Sequence, residues 1–306
     1  MNSKNITLTF AVGLALVALL IIGTTRNSSM MQGKNLIPIT TITHGHGLAV
    51  DLESPDKVYI ATHHGLILFD SGKLYQVGTK QDDYMGFSPD STNAQTFYAS
   101  GHPSAGGNIG FQKSTDGGLQ WNTVSQGVDG PVDFHAMAVS PVDSNYVYGW
   151  YQGKVQRSVD GGAHFEIVSS STLAVQLVAD SKDVKTLYAA SPAGQGILVS
   201  HDAGVTFSEL SPDLVGGPVA GIASDPRNAS HMLVFSEKLG GLGVSMDHGI
   251  TWTKVNTSFD GTVLFVAFSR TYSSIVYALT NTNALYKSAN GGVAWMQVAA
   301  GQAHEE

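Results

Sequence analysis

The chain has 306 residues, 42% of them hydrophobic and 13% charged, with 35 glycines, no cysteine and a net charge of −8. It is apolar enough to bury a large core and too apolar for a disordered protein, and without cysteine it has no disulfide, thiolate metal site or cysteine nucleophile. Lys4, Arg26 and Lys34 all precede the first acidic residue, Asp51, so the remainder is more acidic still and offers no basic footprint for nucleic acid.

Residues 1–5 read as a cytoplasmic N-terminus. Residues 6–23, ITLTFAVGLALVALLIIG, carry no charge. At 1.5 Å per residue such a run spans roughly 27 Å, about one hydrocarbon core. Lys4 and Arg26 flank it, which predicts a transmembrane signal anchor with the bulk of the protein outside the cytoplasm, at the cell surface or in the periplasm. Cleavage of the segment would make the protein secreted, although no clear A-x-A site follows. Residues 24–38 then read as a tether.

From there the chain repeats. KSTDGGLQW (113–121), RSVDGGAHF (157–165), VSHDAGVTF (199–207), VSMDHGITW (244–252) and KSANGGVAW (287–295) share Ser-x-Asp-x-Gly-x-x-aromatic, with Asn290 replacing Asp in the last. The serines at 114, 158, 200, 245 and 288 step by 42–45 residues. LILFDSGKLY (66–75) resembles a worn sixth copy around Asp70 and Gly72. In this pattern Asp accepts backbone N–H bonds within its own turn and Gly supplies a positive φ. Two strand-like runs precede every copy, such as HAMAVS and YVYGW before the second. Each unit therefore predicts four strands, A to D, and six units predict an all-β, single six-bladed propeller over residues 39–306. ITTIT (39–43) is expected to add a strand that helps close the ring.

These turns resemble the Asp-box (BNR) repeats of sialidases, the sortilin ectodomain and a photosystem II assembly factor. HGHGLAVD, ATHHGL, DDYMGF, YASGHP and DFHAMAVS more closely resemble a bacterial membrane-anchored Asp-box propeller family usually labelled glycosyl hydrolase. The resemblance covers about residues 44–300 and implies the fold; glycosidase activity follows from the label only by analogy.

In a four-stranded meander the D-to-A and B-to-C loops share one face of the ring. His46, His63, His64, His102 and His135 all fall on that face, in blades 1–3. They predict a transition-metal site for copper or zinc, with Met85 and Met137 as soft donors placed by period-2 counting beside Asp83 and His135. His44, beyond the strand start, is left out. Asp83 and Asp133, with Asp82 in reserve, form a carboxylate pair for the alternative of a glycoside hydrolase. Trp150 and Tyr151 are expected to wall the same pocket, and Asp82 to touch a ligand there. A sialidase is excluded, because the four arginines (Arg26, Arg157, Arg227, Arg270) supply no cluster on this face. A third reading is a non-catalytic module binding a glycan or an extracytoplasmic protein. The expected partners are thus the membrane, through the N-terminal helix, and a metal ion, small ligand, glycan or protein on the His-rich face.

Overall fold

The computed structural model describes residues 36–170 and 172–301. The predicted anchor at 6–23, the short segment before it and most of the tether lie outside the described residues. Among the described residues no helix is long and apolar enough to cross a membrane.

The described residues form six antiparallel sheets, each built from consecutive strands. This is the six-bladed propeller that the repeat spacing predicts. The inner strands are Gly45–Val50, Asp83–Pro89, Ala136–Val139, Gln176–Ala179, Val219–Ser224 and Val263–Phe268. Each touches the inner strand of the next blade, and the sixth touches the first, so the ring is closed. Together they line a central channel cavity of about 180 Å³.

The core lies between neighbouring sheets. Alternate residues of a strand face opposite sides of its sheet, and here both sides are covered. Runs such as GLILFD (65–70) are therefore apolar throughout rather than alternating. Ile60, Ile67 and Phe69 of blade 1 pack on Tyr277, Leu279 and Leu285 of blade 6. Ala138 and Tyr148 of blade 3 pack on Leu177 and Leu187 of blade 4 in the same way.

Closure differs in detail from the expectation. Leu36–Ile39 adds a fifth strand to the outer edge of blade 1, with Leu36 opposite Val77 and Ile39 opposite Leu74. Residues 36–38 thus belong to the sheet rather than to the tether. Pro38 argues against a strand in sequence, but an edge strand tolerates a missing N–H. Of the predicted 39–43 strand, Ile42 makes a parallel bridge to Gly301.

The repeated turns share one bonding pattern. In blade 4, Ser200 Oγ accepts from the buried Gly204 N–H at 2.8 Å and donates to Asp202 Oδ1 at 2.8 Å. Asp202 in turn accepts from the Val205 and Thr206 N–H groups. Asn290 fills the same role in blade 6, accepting from Ala294 N–H at 2.8 Å. The worn copy in blade 1 departs from the pattern. Leu68 stands where the others have serine, and the chain instead turns over Ser71 (φ 51°) and Gly72 (φ 87°), with Asp70 opposite Lys73. Two successive positive φ values are those of a tight two-residue hairpin.

Candidate metal centre

The face at which the inner strands begin carries two groups of ligand side chains. His44, His46 and His63 form the first, and His102, Asp133 and His135 the second. Within each group the ligand atoms lie within 4.8 Å of one another.

A bulge sets the first group. Gly45 lies opposite Thr62 and Gly47 opposite Ala61, which leaves His46 as the extra residue. Bulges re-aim a side chain in this way. Both flanking positions are tight: a Cβ on Gly45 would meet Leu279 Cδ2 at 2.4 Å, and one on Gly47 would meet Phe87 Cβ at 2.7 Å. His63 occupies the corner between Lys57–Thr62 and Gly65–Asp70. Its N–H donates to the His44 carbonyl at 3.3 Å, which extends the pairing past the strand end and brings His44 in. The His44 ring is 4.8 Å from that of His46 and 4.9 Å from that of His63. His46 Nε2 is 3.2 Å from both ring nitrogens of His63.

Asp83 joins the groups. Its Oδ2 accepts from His63 Nδ1 at 2.6 Å, while its Oδ1 lies 3.9 Å from His46 Nε2. On the other side Asp83 is directly opposite His102 across the strand pair. His102 Nε2 and His135 Nε2 both approach Asp133 Oδ2, at 2.9 and 2.6 Å. The Asp133 side chain is only 3% exposed. The remaining oxygens, Asp83 Oδ1 and Asp133 Oδ1, are buried without a hydrogen bond.

His102 Nδ1 is 2.8 Å from the Gly107 carbonyl. A carbonyl only accepts, so Nδ1 carries the proton there, and Nε2 is the ring atom turned toward Asp133. Burial, reinforced by the neighbouring imidazoles of His63, His44, His135 and His102, lowers the His46 pKa to about 3. It is therefore a neutral imidazole at physiological pH. His135 moves the other way, its pKa raised chiefly by the hydrogen bond to Asp133.

Several sequence expectations need correction. His44 belongs to the first group although period-2 counting excluded it. His64 joins neither group: it takes the other corner of the two-residue turn and is exposed, its N–H donating to Thr62 Oγ1. Met85 is the extra residue of a second bulge, with Tyr84 opposite Gly101 and Gly86 opposite Ser100, so period-2 counting does not carry across it. It lines the channel mouth beside His46 and His135. Met137 is 7% exposed and packs with Phe134 and Val139, and it also lines the channel with Met85 and His135. Asp82 points away and pairs with Lys80 at 2.8 Å. Trp150 donates to the Thr172 carbonyl and packs between blades 3 and 4, and Tyr151 accepts from Asn108. Neither lines the channel.

The other described histidines have local partners. His164 binds Asp160, His201 binds Thr186, His231 approaches Asp225 and His248 binds Ser230. Gly107 escaped sequence reasoning, since no pattern marks which loop carbonyl meets a ring. The His44-x-His46 doublet was the available signal for the other omission.

No protein-family profile matches the chain, and no curated protein matches it. Solved structures do. The GH74 enzyme of Niastella koreensis superposes with a TM-score of 0.56 at 19% identity, over 82% of this chain and 46% of that one. The GH74 xyloglucanase from Xanthomonas campestris gives 0.57 at 18% identity, over 86% and 46%. YCF48 from Cyanidioschyzon merolae gives 0.54 at 16% identity, over 86% and 87%. The likeness is one of fold. This chain spans about half the length of the GH74 structures it matches.

Proposed function

We propose that this propeller binds a transition-metal ion, zinc or copper, through the His–Asp face of blades 1–3. The observation that carries the reading is His102, whose Nδ1–H is held by the Gly107 carbonyl while Nε2 faces the buried Asp133 carboxylate. Metal-bound histidines characteristically donate their other ring N–H to a carbonyl or carboxylate, and His63 does the same toward Asp83. The 3.2 Å between His46 Nε2 and the His63 ring nitrogens approaches the edge of about 3.3 Å that tetrahedral bonds of 2.0–2.1 Å require. Around Asp133 the contacts are hydrogen-bond lengths, so ligation there opens them by less than about 1 Å.

The glycosidase reading draws on the GH74 likeness in fold, but the carboxylates favour it less. Asp133 is enclosed and engaged by two imidazoles, and Asp83 is engaged by His63, which leaves little carboxylate surface for a sugar. The test is the metal content of untagged protein after loading with zinc or copper and desalting. Wild type retains metal, His102→Ala and His135→Ala lose it from their group, and His201→Ala keeps it. Wild type that retains none overturns the reading; turnover of a glycan abolished by Asp83→Asn and by Asp133→Asn supports the glycosidase instead. From the uncharged apolar run at 6–23 we further propose that the propeller is anchored on the outer side of the membrane. Protease added to intact cells then removes the propeller, and full protection overturns that placement.

A further inference from the structure

The metal-binding reading concerns the face as a whole; the donor set carries it further. A structural tetrahedral ion takes four protein ligands, and this face presents five histidines (His44, His46, His63, His102, His135) and two carboxylates (Asp83, Asp133). The six ligand atoms outside Asp83 form two groups, His44, His46 and His63 in one and His102, Asp133 and His135 in the other, the atoms of each lying within 4.8 Å of one another. Each group thus has three donors of its own, enough to start a separate coordination sphere.

Each group also has its own vacant carboxylate oxygen. Asp83 Oδ1 lies beside the first, 3.9 Å from His46 Nε2, and Asp133 Oδ1 belongs to the second. Both are buried with no hydrogen bond, a costly arrangement for a carboxylate unless a cation occupies the space. Asp83, opposite His102 in the strand register, stands between the two groups.

We infer that the face is a two-centre site, with one transition-metal ion held by His44, His46 and His63, a second by His102, His135 and Asp133, and Asp83 between them. The inference rests on the metal-binding reading above. The centres differ in chemistry. The first offers three imidazoles with the Met85 thioether at the neighbouring channel mouth, a set that suits copper, including copper(I). The second includes a carboxylate, a harder donor that suits zinc.

The experiment uses the full untagged chain, stripped with chelator, loaded with zinc alone or copper alone, desalted and analysed for metal per chain. Two equivalents at saturation are expected. His46→Gln and His135→Gln should each retain one equivalent, and the double variant none, with thermal melts verifying that each folds. His44→Gln stands in for His46→Gln should the latter fail to fold, and His102→Gln for His135→Gln. Copper(II) at both centres should further show magnetic coupling between the two ions, lost in either single variant. A single equivalent in wild type overturns the two-centre inference and leaves metal binding intact; so does loss of all metal in either single variant. No retained metal in wild type overturns both.

Discussion

Gly149 shows how one missing side chain positions a distant one. It sits on Val147–Tyr151, and a Cβ there would lie 2.4–2.5 Å from the Phe134 ring. Phe134 is fully buried and directly precedes His135. Gly149→Ala must therefore push the ring, at a cost of about 1–3 kcal/mol for overpacking. It should lower stability in urea and also weaken metal retention at the His102, Asp133 and His135 group, while the His44, His46 and His63 group keeps its metal. Equal loss at both groups would show that the effect is global. Only part of this was legible in sequence. That His46, His63, His102 and His135 share a face followed from loop bookkeeping alone. That His63 turns toward His46 and Asp83 and His64 does not was hidden, because adjacent turn residues look alike until the turn geometry is known. Met85 reaches the channel mouth through a bulge rather than by period-2 alternation, and a bulge adds a residue without leaving a mark in composition.

At the level of the element, the repeated turn divides its work between two side chains. Ser200 serves the buried Gly204 N–H, whereas Asp202 serves N–H groups at the exposed end. Ser200→Ala strands a buried donor and should cost about 1–3 kcal/mol, more than Asp202→Asn does at neutral pH. Urea melts of both variants check the order. The aspartate has its own signature in acid. The Thr206 hydroxyl, then the Thr206 N–H, hold the Asp202 pKa down to about 2 from 3.8. A lowered carboxylate pKa stabilises the fold above 3.8, and that contribution is lost as pH falls toward 2. Asp202→Asn should thus flatten the stability profile across this window, and wild type and variant should draw together below it. The repeats themselves were readable because Ser, Asp, Gly and the aromatic each have a separate geometric duty at a fixed offset. The first blade was harder to read: Leu68 lacks the hydroxyl, and a two-residue hairpin replaces the box.

At the scale of the molecule, the ligand groups occupy one half of a closed ring. Val175 takes the channel-mouth place of His135 in the fourth blade. The symmetry of the fold thus supplies position, and the departures from symmetry supply chemistry. The seam of the ring has a different consequence. Leu36–Ile39 is held along the rim of blade 1 by pairing with Lys73–Val77, and beyond it Ile42 bridges to Gly301. Mechanical load entering on the N-terminal side of Leu36 meets this short rim strand before it meets the ring. Drawn away from the sheet, the strand peels pair by pair from Leu36, releasing about 20 Å of chain up to residue 42 at 3.3–3.6 Å per residue. Single-molecule pulling between residue 36 and residue 301 should show that small step at low force, followed by one large rupture when the seam opens. A single rupture with no earlier step would mean that the rim strand bears the load together with the ring. With the step, the His–Asp face stays intact while the rim strand absorbs the first stretch.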